Sequence, residues 1–160
     1  MTGAMPLCES VRPSDDDPEV IHRSRCPGGP ALVNVTAPAE YATRFAFTTV
    51  HTHADVHLVL VRKKSGAAFA EVKLDCAGTV EGWTPIGAGG AYETATVTLS
   101  EGNFAPRAHG SGTCGLGAHT MSSDGSFTGY VWGWTHEGVD GLASEDDGSH
   151  RSYGFAFYGE

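Results

Sequence analysis

The chain has 160 residues, 22 of them glycine, and a formal net charge of −9. That length suits one domain with a sizeable core, and the acidity excludes a partner whose phosphates need neutralising, such as nucleic acid. Threonine, valine and alanine recur without helical periodicity, which predicts an all-β fold, and no apolar run approaches the ~20 residues of a membrane span.

In chain order, residues 1–30 read as an irregular arm, with Pro6, Pro13, Pro18, Pro27, Pro30 and the acidic run Asp15 to Asp17. Met1 to Leu7 lacks the basic start and apolar stretch of a signal peptide, so secretion would require a leader upstream of this sequence. A β-domain is expected over 31–160. Its first strands fall at 31–37 and 41–49. The next, 56–62, is apolar on both faces and so belongs inside a sheet. Residues 67–75 alternate, with Ala70, Val72 and Leu74 on one face. Strands at 91–99, 127–134 and 151–158 complete the set, separated by glycine-rich breaks at 87–90 and 110–117 and by a long acidic connection at 135–150. The spacing predicts a β-sandwich of roughly eight strands, jelly-roll or immunoglobulin-like.

The segment His51-Thr-His53-Ala-Asp55-Val-His57 carries zinc-type ligands. If extended, it places His51, His53, Asp55 and His57 on one face, neighbours standing ~7 Å apart. Two of them could reach one ion; four on a straight strand could not. The H-x-H-x-D-H pattern of metallo-β-lactamase-like hydrolases fails by one residue, because Val56 separates Asp55 from His57. The run Leu58 to Val61 then predicts a strand where that enzyme class has a helix. A polar loop entering a buried strand is the favoured reading.

Four cysteines, Cys8, Cys26, Cys76 and Cys114, include no C-x-x-C pair. Their even number fits two disulfides and an oxidising compartment, buried free thiols being the alternative, and three connectivities are open. Tyr130, Trp132 and Trp134 alternate on one strand face. Such a row is either a packed sheet face, the favoured reading, or a stacking platform for a sugar or protein partner. Gly129 and Gly133 line the other face. Asp140, Glu145, Asp146 and Asp147 supply calcium-type oxygens without EF-hand spacing, so a solvated loop is expected. No G-x-S-x-G is present, and Ser111 has no recognisable partner.

Three stretches, "LVLVRKKSGAAFAEVKLDCAGTVEGWTPIGAGGAYETATVTL" at 58–99, "CGLGAHTMSSDGSFTGYVWGW" at 114–134 and "SYGFAFYG" at 152–159, occur in an order that resembles the immunoglobulin-G Fc-binding-protein N-terminal-like domain of bacterial, myxobacterial-type, surface proteins. "RFAFTT" at 44–49 looks like the preceding strand. The histidine segment departs from the family pattern, as does the closing "FYGE". The resemblance implies a Cys76–Cys114 bond, and with it Cys8–Cys26. It also implies a non-catalytic, secreted or cell-surface module for adhesion or structure, with no cofactor and with an extracellular protein or glycan as partner. A carbohydrate- or calcium-dependent lectin-like module is the first alternative and a zinc-dependent hydrolase the second. Partner contacts are expected in the connections 51–57 and 135–150.

Overall fold

The computed structural model describes residues 33–110 and 112–134, together with the backbone of 152–156. The arm over 1–30, Cys8, Cys26, Ser111 and the acidic connection with Asp140, Glu145, Asp146 and Asp147 lie outside the described residues.

The fold is all-β. Ten strands form one antiparallel sheet that curls nearly into a barrel, a sandwich-like arrangement. They are β1 (Ala42–Thr48), β2 (Asp55–Lys63), β3 (Val72–Leu74), β4 (Gly78–Thr79), β5 (Thr84–Ile86), β6 (Tyr92–Glu101), β7 (Ala105–His109), β8 (Gly112–Cys114), β9 (Ala118–Trp134) and β10 (Ser152–Ala156). The main path runs β4-β3-β9-β2-β6-β7-β8, with β1 and β10 also on β9 and β5 on β6.

Strand β9 organises the sheet. Its first half pairs with β1 and β3; its second half pairs with β2 and β10. Phe127 stands at the changeover, opposite Ala42 of β1 and Arg62 of β2. The expectation that the apolar 56–62 run lies inside the sheet holds: β2 is flanked by β6 and β9. Alternation then fills the core with Val56, Leu58 and Leu60 from β2, Ala95, Val97 and Leu99 from β6, and Met121, Phe127 and Val131 from β9. Phe45 and Phe47 of β1 close it, Phe45 meeting Phe127 edge to face at 5.0 Å between ring centres. At one margin of the core Arg62 pairs with Glu93 and lies over the Trp83 ring, 4.1 Å from its centre.

Three expected strands differ in extent. Residues 33–37 are irregular and lead into a single 3-10 turn at Pro38–Glu40, as a proline at the start of a turn favours. The strand expected over 67–75 shrinks to Val72–Leu74, because Ser65 and Ala68 bridge across a tight turn at Gly66, whose φ is +64°. The strand expected at 127 begins at 118. Its early part, "AHTMSSDGS", offers few apolar residues, yet His119 and Met121 are buried, and β1 pairs along 118–122 while β3 pairs along 121–123.

Candidate functional site

The histidine segment is a joint between β1 and β2. Thr49 locks its entrance: its amide donates to the Gly117 carbonyl at 2.9 Å, and its hydroxyl accepts from the Gly117 amide at 2.7 Å. The chain turns at His51 and Thr52, both exposed, and regular strand begins only at Asp55. That turn breaks the alternation that would have aligned the four ligand-type residues. His53 is buried, with Nδ1 3.0 Å from the Thr52 hydroxyl. The hydroxyl of Ser100 donates to the Ala54 carbonyl at 3.0 Å. Asp55 is buried and accepts from the Gly102 amide, so its carboxylate ties the joint to the β6–β7 turn, where Phe104 holds a positive φ of 59°.

His57 belongs to a different surface. It stands opposite Trp132 across the β2–β9 ladder. Its ring stacks on Trp134 at 4.7 Å and tilts against Trp132 at 5.2 Å, while the two indoles lie 4.5 Å apart. Tyr130, Trp132 and Trp134 are half-buried, whereas Gly129, Val131 and Gly133 are buried on the core side. The aromatic row therefore lies on the outer face of the sheet. His57 Nδ1 meets the Thr98 hydroxyl at 3.2 Å, but His57 Nε2 and Trp132 Nε1 are buried with no hydrogen-bond partner among the described residues. Burial pushes the His57 imidazole below its ordinary value. The charges of Asp55 and Glu101 pull the other way and do not outweigh it. Burial likewise raises the Tyr130 phenol.

Described residues within or next to both segments singled out in the sequence, 51–57 and 135–150, pair at this surface. Asp55, which ends the 49–54 joint, pairs with Trp134, and so does Ser152, which follows the acidic connection.

A third constellation was visible in the sequence only in part. Cys76 and Cys114 are bonded. Beside them His119, on β9, is buried between two acceptors: its Nε2 lies 2.9 Å from the Gly115 carbonyl and its Nδ1 3.1 Å from Asp75 Oδ1. The other oxygen, Oδ2, accepts from the Thr120 amide at 2.8 Å. Burial alone would raise the Asp75 carboxyl. Hydrogen bonds from the Thr120 amide, from His119 and from the Cys76 amide, with the charge of His119, overcome that and hold it below its ordinary value. Among the described residues, Asp75, Cys76 and His119 are the one group of three or more ligand-type side chains whose donor atoms fall within 4.8 Å of one another. The Cys76–Cys114 bond is the one the resemblance implies, and the "LDC" adjacency joins Asp75 to Cys76; His119 lies 44 positions from Asp75, a distance that no local pattern bridges.

No curated protein and no solved structure matches the chain in the comparisons made. A family model described as IgGFc binding protein matches residues 11–133. That span takes in β1 to β8 and nearly all of β9, and with them the disulfide, His57, Tyr130 and Trp132, and it stops one residue short of Trp134. This chain accordingly belongs to the IgGFc-binding-protein family, a family of binding domains.

Proposed function

We propose that the protein is a non-catalytic extracellular module, adhesive or structural in role, that holds a protein partner on the outer face around His57, Trp132 and Trp134. The observation that carries this reading is the position of the aromatic row: three large rings sit on the sheet face that the core does not use. Tryptophan and tyrosine combine a large apolar area with a polar edge and dominate binding hot spots. The segments 51–57 and 135–150 are expected to contribute the rim, since Asp55 and Ser152 both pair with Trp134. The Cys76–Cys114 bond supports an oxidising, extracellular setting. No helix among the described residues is long and apolar enough to cross a membrane. The proposed organisation remains an arm over 1–30 and a β-domain over 31–160, and the family match spans that junction.

The family description names the Fc part of immunoglobulin G, so an Fc fragment is the first probe. Immobilised Fc is expected to bind the protein saturably, with binding lost in Trp132→Ser and Trp134→Ser variants that keep the wild-type circular dichroism. Undiminished binding by both variants would remove the aromatic face from the proposal. Binding to glycans alone, inhibited by free sugar, would favour the lectin-like alternative.

A further inference from the structure

The corner between β3 and β9 has properties that a structural disulfide does not require. A carbonyl only accepts hydrogen bonds, so His119 Nε2 must donate to the Gly115 carbonyl. A neutral imidazole then presents a lone pair at Nδ1, and that atom faces Asp75 Oδ1 at 3.1 Å. Nδ1 and Oδ1 thus converge, from two different elements, on one point where a cation could sit between them. The backbone meanwhile occupies the outer atom of each group: Gly115 holds Nε2, and Thr120 holds Oδ2. A second hydrogen bond that fixes a ring or carboxylate while its other atom points inward is the arrangement that orients metal ligands. The sulfur of Cys76 completes a cluster within 4.8 Å, and Cys114 Sγ is bonded to it.

We propose that in its dithiol form this corner binds one zinc ion through Asp75, Cys76, Cys114 and His119. Two thiolates, one imidazole and one carboxylate make a four-ligand set that zinc accepts. Tetrahedral bonds of about 2.0–2.3 Å put ligand atoms roughly 3.3–3.8 Å apart, so the Asp75, Cys76 and His119 atoms, within 4.8 Å of one another, need to draw together by at most about 1.5 Å, while Cys114 Sγ moves out of bonding distance of Cys76. The chemistry balances. A thiol or phosphine reductant delivers two electrons, the S–S bond breaks, and two protons complete the thiols; zinc then displaces both protons. The scaffold does not depend on the S–S bond alone. Gly112 packs so tightly on Cys76 that an added Cβ would lie 2.0 Å from the Cys76 carbonyl oxygen. Strand β8 pairs with β7 through Arg107↔Cys114, and the Asp75 amide donates to the Thr120 carbonyl at 3.0 Å. Disulfide and metal are thus mutually exclusive occupants of one site, the metal form belonging to the reduced chain before it meets an oxidant.

The test uses the full chain carrying Cys8→Ser and Cys26→Ser, reduced anaerobically with a phosphine and titrated with cobalt(II), then with zinc. One equivalent of cobalt should give tetrahedral d–d and thiolate charge-transfer bands that zinc abolishes; the oxidised protein should give neither. His119→Gln and Asp75→Asn should each weaken binding by about tenfold or more. A folded, reduced protein without thiolate–cobalt bands overturns the proposal, as does a His119→Gln variant with the same spectrum and affinity. If reduction unfolds the chain, reoxidation supplies the second measurement: zinc should slow Cys76–Cys114 formation in the parent and not in His119→Gln, followed by thiol alkylation. Equal rates with and without zinc in the parent also overturn it.

Discussion

The two halves of β9 share one inward pattern and have opposite outer faces. His119 and Met121 in the first half and Phe127 and Val131 in the second are all buried, on either side of the register shift against β1 between Ser122 and Phe127. Outward, the first half shows Ala118, Thr120, Ser122 and Asp124, all exposed; the second half shows Tyr130, Trp132 and Trp134, all half-buried. Since the inward register alone satisfies the core, folding does not demand the aromatic outer face. The first half instead lies beside the covalent anchor, the Cys76–Cys114 bond that joins the end of β3 to β8, and His119 is hydrogen-bonded to Asp75 there. One half secures the strand and the other displays chemistry.

The sharpest way to break this division is at Phe127, where both halves meet. It is fully buried and packs edge to face on Phe45. Phe127→Ala should cost about 3–5 kcal/mol, measured by urea unfolding, and should loosen both halves together. Loss of the second half alone would show that β9 is two independent strands.

Next in size is the anchor. Cys76 and Cys114 are 38 positions apart, and closing a loop of that length restricts the unfolded chain by up to about 4 kcal/mol. The double variant Cys76→Ala/Cys114→Ala should lose about 2–4 kcal/mol, with hydrogen exchange rising first in β3, β8 and the early part of β9. A uniform rise across the sheet would argue against a local anchor.

A smaller effect is expected at the core margin. Arg62 donates from Nε and Nη2 to Glu93 Oε2 at 2.9 and 2.6 Å and from Nη1 to the Ala70 carbonyl at 2.9 Å. Removing one partner of such a pair leaves the other charge poorly solvated. Arg62→Met should therefore cost about 2 kcal/mol, and Arg62→Met/Glu93→Leu should recover much of it. Additive losses in the double variant would mean that the ion pair contributes nothing beyond its separate parts.

The sequence displayed what periodicity encodes. The all-β class, the central position of β2 and the late aromatic strand all follow from alternation and apolar runs. Periodicity could not show where pairing overrides a weak pattern: residues 118–123 are held as strand by β1 and β3, although Ser122 and Ser123 read as loop. Nor could it show what a turn does to a row. The alignment of His51 with His53, Asp55 and His57 assumed extended backbone, and the turn at 51–52 sends them to separate environments. The Asp75–His119 contact is a product of tertiary pairing and has no local signature.

The outer face of the second half should show the reverse balance, with little stability at stake and much binding. Trp134→Ser should lower stability by only about 1 kcal/mol, as expected for a half-buried ring, and weaken partner binding by about 2 kcal/mol or more. A stability loss on the scale of Phe127→Ala would mean that the aromatic face belongs to the core after all, and the two halves would no longer divide their tasks.

The smallest effect discriminates most finely, because it titrates one ring of that face. His57 is pushed below its ordinary value of 6.5 by burial, and its Nε2 lies buried with no hydrogen-bond partner among the described residues. Protonation would place an N–H⁺ there without an acceptor, which is costly. The groups around it are the Thr98 hydroxyl, the two indoles and, at longer range, the Asp55 and Glu101 carboxylates. With the folded pKa below the unfolded one, the folded state binds fewer protons, so His57 contributes stability that is fully present above 6.5 and is lost as pH falls through the folded value. Asp75 is also depressed, but from 3.8, so its contribution is lost only in a lower window, as pH falls below that point. Urea unfolding at pH 7.5, 6.5 and 5.0 should show a decline in the wild type that His57→Phe, which keeps a stacking ring without a titrating nitrogen, reduces. The same variant should leave the decline below pH 4 intact. An identical slope between pH 7.5 and 5.0 in both proteins would show that the ring gains or loses its proton without strain, and would place His57 in a wetter setting than its stacked position between Trp132 and Trp134 implies.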